Sequence, residues 1–394
     1  MHQMTDYSIN PSKRVTHKMI LLSLFLLTIA ACGHSQPQPP VDTVPTDTVA
    51  VADSLSLEEA IGQLLLVGFR GTEIDSNSHI WRDIKEYHVG SVILFDYDVP
   101  TGQRGRNIKN PTQVKTLCQQ LRALNPDLLI GIDQEGGNVM RLSSRYGFPR
   151  IASPQRSAQL GADTVRHYAH LTAATLNEMG INLNFAPVAD VNVNPHCPVI
   201  GAMQRSFSDE ETLVRQCCDI WIEEQAAQGV ISCMKHFPGH GSARGDTHKG
   251  LVDVSDTWQR RELEPYRNLP PNTMVMTAHV IDRQLDPAGL PASLSPVITA
   301  YLRDTLDFQG VIITDDLAMG AIAGQYSFEQ TLRMALQAGA DILCLSNNGS
   351  HYDPNLVPKA VRTIKKMVDS GTLTEDRIQS SAQRIRALYN NIHK

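Results

Sequence analysis

The sequence of 394 residues has few cysteines, few aromatic residues and no block of basic residues. Its seven cysteines include no C-x-x-C pair, which excludes a small disulfide scaffold. Lysine and arginine number 35 against 41 aspartate and glutamate residues, so the net charge of −6 argues against a nucleic-acid-binding protein. Hydrophobic residues make up 42% of the chain and charged residues 19%, as in an ordinary globular protein.

The apolar run near the amino terminus is too short to span a membrane comfortably. It covers residues 19–31, which is 13 residues, whereas a spanning helix needs about 20. Lys13, Arg14 and Lys18 precede the run, and small residues lead from it to Cys32. This pattern resembles the lipobox of bacterial lipoproteins, which implies cleavage before Cys32 and attachment of lipid to its sulfur. The alternative is a plain secretory signal followed by a chance cysteine.

The segment after Cys32 is rich in proline, threonine and aspartate and has too little apolar surface to fold. We therefore expect three regions: a signal peptide over residues 1–31, a disordered tether over 32–54 and a globular domain over 55–394. Two or three acyl chains hold a protein firmly on a membrane. The predicted location is accordingly outside the cytoplasm, anchored by lipid on the periplasmic side of a bacterial membrane or on the cell surface.

Eight short apolar runs alternate with longer segments of helical periodicity from Leu55 onward. Each run is apolar on both faces, as a buried parallel strand requires. The runs cover residues 64–67, 91–95, 128–132, 181–186, 230–234, 273–277, 311–313 and 342–345. Gly180, Gly229 and Gly339 follow helical segments, where a helix often ends with glycine. The amino-acid composition does not change along this part of the chain, which predicts a single domain. Eight strand–helix units predict an α/β fold, a (β/α)8 TIM-type barrel, rather than an open doubly wound sheet.

Polar and reactive side chains follow most of the predicted strands. Examples are Asp133 after the third strand, Lys235 and His236 after the fifth, His279 after the sixth, and Asp315 and Asp316 after the seventh. In a TIM barrel the strand ends meet at one face, where the active site lies. Charged groups at the ends of apolar strands are costly to desolvate. Several of them together therefore predict an active site at this face.

The stretch after the fifth strand, residues 235–248, reads KHFPGHGSARGDTH and contains three histidines. Its glycines allow a shaped loop. Asp246 and His248 are two residues apart, so the carboxylate can accept the Nδ1–H of the imidazole and leave Nε2 to exchange a proton with substrate. In isolation, a D-x-H sequence is usually a solvated polar loop. Beside a strand end that carries Asp315, it predicts general acid–base chemistry.

At this point the sequence resembles a known family. KHFPGHG at 235–241 followed by DTH at 246–248 is similar to the signature of the β-N-acetylhexosaminidases of glycoside hydrolase family 3. Further matching segments occur in family order over residues 57–390: DQEGG at 133–137 with Arg141, NFAPVAD at 184–190, RSF at 205–207, TDDLAM at 314–319 and AGAD at 338–341.

The resemblance implies a barrel and a retaining mechanism with a glycosyl-aspartate intermediate. Asp315 would be the nucleophile and His248 the acid/base, assisted by Asp246. The substrate would be a terminal non-reducing GlcNAc of peptidoglycan fragments or of other GlcNAc-containing glycans. The expected sugar-binding residues are Asp133, Arg141, Arg205, Lys235 and His236.

Two points about the carboxylates follow from elementary chemistry. Asp315 must be ionised, and we expect the cations Lys235 and Arg205 to keep it so. Asp316 is the rival nucleophile, but adjacent side chains of a strand point in opposite directions, so only one can face the barrel mouth. Glu135 is a conventional candidate for the acid, although the resemblance gives it a structural role.

The sequence departs from the family pattern in three respects. The two-domain glucosidases of the family have an additional α/β domain after the barrel, and this chain ends near the last barrel helix. Thr247 stands where serine is usual. The lipobox is the largest departure, because relatives that recycle cell-wall fragments are typically cytosolic, and it favours a substrate outside the cytoplasm.

Three other functions remain open on the residues. The side chains of His236, His240, Asp246, His248 and His279 could bind zinc in a metal hydrolase. A lipid-anchored glycan-binding protein could use a degenerate barrel. A histidine donor would not repel phosphate, so phosphorolysis is also conceivable. The expected activity itself needs no cofactor, no metal and no obligatory protein partner.

Overall fold

Eight parallel strands line the centre of the fold. The computed structural model describes residues 55–392, so the predicted signal peptide, Cys32 and the tether lie outside the described residues. The strands are β1 (Leu65–Gly68), β2 (Ser91–Leu94), β3 (Leu129–Ile132), β4 (Leu183–Asn184), β5 (Ile231–Phe237), β6 (Thr273–Thr277), β7 (Ile312–Thr314) and β8 (Leu343–Leu345). Short two-stranded pairs join 97–98 to 103–104, 134–136 to 139–140 and 252–253 to 280–281.

The strands close into a barrel. They pair in parallel in the order β7-β6-β5-β4-β3-β2-β1-β8. The two ends of this sheet meet at a parallel bridge between Ile313 and Ile342. At the same seam the N–H of Thr314 donates to the carbonyl of Ile342 at 3.1 Å. The predicted (β/α)8 barrel is therefore confirmed.

Helices surround the barrel, and several begin and end as their sequences predict. The α-helices are α1 (Leu57–Gln63), α2 (His79–Lys85), α3 (Pro111–Leu124), α4 (Pro154–Gln159), α5 (Ala162–Met179), α6 (Glu211–Ala227), α7 (Pro296–Ala300), α8 (Gly320–Ala323), α9 (Phe328–Ala338), α10 (Leu356–Asp369) and α11 (Glu375–Ile392). Short 3₁₀ segments cover 144–146, 260–266 and 292–294, and a π turn covers 301–305. A capping box of Ser327 and Gln330 begins α9, and Gly339, with φ of 107°, ends it in the left-handed conformation.

The fourth strand is shorter than its apolar run predicts. The run covers residues 181–186, but the regular strand contains only Leu183 and Asn184. Pro187 has no N–H to donate to a neighbouring strand. Pairing with β5 resumes as a single bridge between Val188 and Lys235. The chain therefore leaves the regular ladder after Asn184 and keeps only irregular hydrogen bonds to β5 as far as Ala189, just before Asp190.

The core fills the space between the barrel and the helices. All residues of β1, β2 and β3 are buried, since side chains inside the barrel cover one face and helices cover the other. The six cysteines of the described residues are buried and unpaired. No described helix combines the length and the hydrophobicity needed to cross a membrane.

Candidate active site

A pocket of about 370 Å³ opens at the carboxyl ends of the strands. All but one of the residues predicted for catalysis and sugar binding line it, and the exception is Asp246. They come from the ends of β3, β5 and β7 and from the loops that follow β3, β4 and β5, which a closed barrel brings to one face. The lining members of the predicted set are Asp133, Arg141, Arg205, Lys235, His236, His248 and Asp315.

Asp315 and Asp316 follow β7 and have different surroundings. Asp315 accepts the N–H of Asp316 at 2.8 Å through Oδ1. Its Oδ2 has no hydrogen-bond partner among the described residues. Asp316 accepts the N–H groups of Ala318 and Ser346, both at 3.1 Å, and also the hydroxyl of Ser346. Asp316 thus anchors the loop after β7, whereas Asp315 keeps one oxygen available to a substrate.

The pKa values of this aspartate pair are shifted in opposite directions. Burial raises the pKa of Asp316 above its usual value, and the charge of Asp315 adds to the rise. Burial also acts to raise the pKa of Asp315, but His279, His236 and the Asp316 N–H outweigh it, so this pKa is lowered. Neighbouring carboxyls whose pKa values are driven apart are typical of an active site. Asp315 is the member that stays ionised.

His279 is a buried ring beneath the pair. Its Nε2 lies 2.9 Å from the carbonyl oxygen of Asp316, and its Nδ1 lies 2.7 Å from Oγ of Ser293. Burial lowers the pKa of His279, so the ring is neutral at pH 7. A neutral ring satisfies both contacts if Nε2–H donates to the carbonyl and Nδ1 accepts the Ser293 hydroxyl. At neutral pH, His279 therefore adds no positive charge beside Asp315. The Asp316 N–H, 2.8 Å from Oδ1, is then the group that donates a hydrogen bond to the Asp315 carboxylate.

The expectation that Lys235 and Arg205 neutralise Asp315 is wrong. Nζ of Lys235 lies 2.8 Å from Oδ1 of Asp133 and 2.7 Å from Oε1 of Glu135. Arg205 forms two hydrogen bonds of 2.8 Å with the carboxylate of Glu135. Both cations are thus committed to the carboxylates that follow β3, on the side of the barrel opposite β7.

These partners form one buried ion network. Burial alone would raise the pKa of Asp133 and of Glu135. The charges of Lys235 and Arg141 outweigh this effect at Asp133, and those of Arg205 and Lys235 outweigh it at Glu135, so both pKa values lie below their usual range. The Arg141 guanidinium lies 3.1 Å from Oδ2 of Asp133. Arg205 also donates to the Val199 carbonyl at 2.7 Å, and its Nη2 lies 3.4 Å from Nε2 of His236. Asp133, Arg141 and Lys235 therefore retain capacity for sugar hydroxyls at the pocket wall, whereas Glu135 and Arg205 are largely occupied with each other.

Asp246 and His248 lie in contact on the loop after β5. Nδ1 of His248 lies 2.8 Å from Oδ1 of Asp246, and the ring is mostly exposed. The loop is fixed against the segment after β7, because Gly320 N–H donates to the His248 carbonyl at 3.2 Å and Ala321 N–H donates to the Thr247 carbonyl at 3.1 Å. A Cβ on Gly320 would lie 2.7 Å from the His248 carbonyl oxygen, so this close approach needs glycine.

Sequence reasoning missed the side chains that support this loop from below. Asp190 is completely buried and accepts the ring of His236 at 2.7 Å and the N–H of His240 at 2.7 Å. Nε2 of His240 lies 3.2 Å from Oγ1 of Thr247. A chain of contacts thus leads from Asp190 through His240 to the residue between Asp246 and His248. The KHFPGHG motif marked the histidines, but nothing in the spacing indicated their partners.

The histidines of the metal-hydrolase alternative have separate partners. His236 contacts Asp190, His240 contacts Thr247, and His279 contacts Ser293. Within residues 55–392, no cluster of three or more His, Cys, Asp or Glu side chains is arranged to hold a metal ion. The geometry thus offers a carboxylate and an imidazole at one pocket, a pair suited to nucleophilic and acid–base chemistry.

Comparisons with known proteins find relatives of similar sequence and fold. The model of the glycosyl hydrolase family 3 N-terminal domain matches residues 56–388. A beta-hexosaminidase from Pseudomonas aeruginosa is 33% identical over 272 residues, which are 67% of this chain and 77% of that protein. Beta-hexosaminidase A from Pseudoalteromonas piscicida is 32% identical over 333 residues, 77% of this chain.

Solved structures give the same likeness. A family 3 beta-N-acetylglucosaminidase from Paenibacillus sp. str. FPU-7 superimposes with a TM-score of 0.77 at 33% identity and covers 86% of this chain. This chain spans 64% of the Paenibacillus protein and about half, 54%, of the Pseudoalteromonas protein.

Proposed function

Because the chain belongs to glycosyl hydrolase family 3, we propose that it is a glycoside hydrolase of the β-N-acetylhexosaminidase type. It removes terminal non-reducing GlcNAc from peptidoglycan fragments or other GlcNAc-containing glycans. The observation that carries this proposal is the pairing of Asp246 with His248 at the pocket that Asp315 lines. Related proteins named beta-hexosaminidases support the choice of sugar.

The proposed reaction has two steps and retains the anomeric configuration. In the first, Oδ2 of Asp315 attacks C1 of the sugar while Nε2–H of His248 gives its proton to the glycosidic oxygen. The aglycone leaves as an alcohol, and the sugar remains bound to Asp315 as an ester. In the second, Nε2 of His248 takes a proton from water, the water oxygen attacks C1, and the Asp315 carboxylate is released.

Each supporting contact has a part in this scheme. Asp246 holds the Nδ1–H of His248, which directs Nε2 toward the substrate and stabilises the imidazolium form. The pKa of Asp246 lies below its usual value because hydrogen bonds from His248 outweigh the effect of burial. Asp133, Arg141 and Lys235 would bind the sugar hydroxyls, with His236 beside them. Arg205 would hold Glu135 and the pocket wall.

The first test is a turnover screen of aryl β-glycosides of GlcNAc, GalNAc, glucose and xylose. We expect release from the GlcNAc substrate, with Asp315→Asn as a control that excludes a contaminating activity. Release from glucose or xylose alone would contradict the proposal.

We further propose that Cys32 carries lipid and anchors the enzyme outside the cytoplasm. The support is the apolar run of residues 19–31 that ends in small residues before Cys32. Full-length protein expressed in a bacterium should partition into the detergent phase and incorporate labelled fatty acid. Cys32→Ser should do neither, and equal labelling of both forms would contradict the anchor.

A further inference from the structure

A second and larger cavity, which we name the arginine groove, opens beside the catalytic pocket. Its volume is about 1150 Å³. It is lined by five arginines and one carboxylate: Arg104, Arg141, Arg145, Arg150, Arg156 and Asp96. Asp96, Tyr97, Asn138 and Arg141 line both cavities, so the arginine groove is continuous with the pocket.

The positive charge of the groove is largely uncompensated. Arg104 pairs with Asp96 at 3.2 Å and Arg141 pairs with Asp133 at 3.1 Å. The guanidinium groups of the three other arginines, Arg145, Arg150 and Arg156, have no hydrogen bond or ion pair with any described residue, and all three residues are exposed. The whole chain has a net charge of −6, so this cluster of arginines is a local positive region that would attract an anionic ligand.

The groove is built on the same loops as the pocket. Gly137 N–H donates to the Ile151 carbonyl at 3.1 Å, and a Cβ on Gly136 would lie 2.3 Å from the Ala152 carbonyl oxygen. Ser153 Oγ lies 3.1 Å from Oε1 of Gln204, the neighbour of Arg205. The segment that carries Arg150 and Arg156 is thus fixed to the loops that carry Asp133 and Arg205.

The position of the acid/base determines which end of the substrate the groove meets. The loop of His248 is bound to the segment after β7. The leaving group must lie beside His248, which donates its proton. The groove joins the pocket through Tyr97 and Asn138, which follow β2 and β3, and β3 lies across an eight-stranded barrel from β7. The groove therefore lies toward the non-reducing side of the sugar, away from the leaving group.

We propose that the arginine groove binds an anionic group carried on the non-reducing side of the N-acetylhexosamine. The group is a sulfate or phosphate ester on the terminal sugar itself. Guanidinium groups bind such oxyanions through paired, charge-assisted hydrogen bonds. The half-exposed ring of Tyr97 offers an apolar face between the two cavities. This inference rests on the proposed function and adds a substrate class to it.

The test compares 4-methylumbelliferyl β-GlcNAc with its 6-O-sulfated form, using the full-length protein. We expect kcat/KM to be about 10-fold higher for the sulfated substrate at low salt and to lose this advantage as salt screens the charges. Replacing Arg145, Arg150 and Arg156 together by alanine should bring the ratio of the two kcat/KM values close to one. Arg362→Ala, an exposed arginine on α10, is the matched control and should leave the ratio unchanged.

A second pair of substrates separates the sources of the anion. 4-Methylumbelliferyl β-GlcNAc 6-phosphate, compared with the unsubstituted glycoside, reports on a phosphate ester. If replacing Arg145, Arg150 and Arg156 by alanine lowers the kcat/KM ratio in either pair, the proposal is supported, and the pair affected identifies the anionic group.

Three results would overturn it: ratios near one for both pairs in the wild type, a preference for a carboxylated aglycone instead, or arginine-dependent binding to anionic lipid vesicles without any substrate preference. Failure to hydrolyse even the neutral GlcNAc substrate would instead contradict the proposed function.

Discussion

Oδ1 of Asp246 lies 2.8 Å from Nδ1 of His248 and also accepts the backbone N–H of His248 at 2.9 Å. One carboxylate oxygen thus fixes both the ring and the main chain of its partner. The contact leaves Nε2 as the only nitrogen of the ring that can exchange a proton with substrate. His248 can serve as the acid in one step and as the base in the next.

His248→Ala should slow hydrolysis of substrates with poor leaving groups by about 10²–10⁴-fold. A dinitrophenyl glycoside needs no proton to leave, so it should still form the glycosyl-enzyme, which should accumulate with a burst of phenolate. The measurement is the dependence of rate on leaving-group pKa, which should steepen in the variant. Asp246→Ala should act more mildly, because the ring remains but loses its orienting partner. An unchanged slope would show that another residue transfers the proton.

Asp315→Asn should abolish turnover and leave the fold intact, because it removes the nucleophile and keeps its shape. Asp316→Asn is the comparison, since Asp316 accepts hydrogen bonds from Ser346 and Ala318 and positions the loop. It should lower thermal stability and retain part of the activity. Trapping with a slow fluorinated glycoside, followed by mass spectrometry of peptides, should locate the label on Asp315. A label on Asp316 would reverse the assignment.

Thr247→Val should lower kcat by about 10-fold for a poor leaving group, because it removes the hydroxyl that contacts His240 and leaves a buried ring nitrogen without a partner. The dinitrophenyl substrate should be affected less in the first step, since Thr247 acts by positioning His248. Thr247→Ser keeps the hydroxyl and should behave like the wild type. Equal losses with both leaving groups would indicate a general structural defect.

Glu262 should make the protein less stable as the pH rises. Burial raises its pKa from 4.5 to about 8, and its Oε2 has no hydrogen-bond partner among the described residues. The folded state therefore binds more protons than the unfolded state between these values, so the free energy of unfolding falls as pH rises from about 4.5 to about 8, by roughly 3–5 kcal/mol in full.

Glu262→Gln should remove most of this slope and stabilise the protein at pH 8, because the amide keeps the acceptor for the Gln259 N–H and carries no charge. Urea unfolding at pH 5, 6.5 and 8 measures it. Parallel slopes in the wild type and the variant would show that other groups cause the dependence.

The barrel could be predicted because its signals are local. Apolar runs of strand length, helical periodicity and glycines such as Gly180 and Gly339 depend only on residues near in sequence, and both glycines adopt the left-handed conformation that ends a helix. The fourth strand was predicted too long because its apolar run continues to Ala186, whereas Pro187 interrupts the hydrogen-bond ladder. An apolar pattern does not show where the backbone lacks an N–H group to donate to the neighbouring strand.

By itself the sequence determined which residues lie at the active-site face of the barrel. The residues that directly follow a parallel strand lie at the carboxyl end of that strand, and in a barrel all these ends share one face. Only the tertiary structure decided which charges meet. Lys235 contacts Asp133 across 102 positions of sequence and Arg205 contacts Glu135 across 70, and neither serves Asp315. Arg104 of the arginine groove likewise lies far in sequence from the other four arginines, which all fall within residues 141–156. Electrostatic attraction depends on distance through space, and packing of the loops, rather than spacing in sequence, sets that distance.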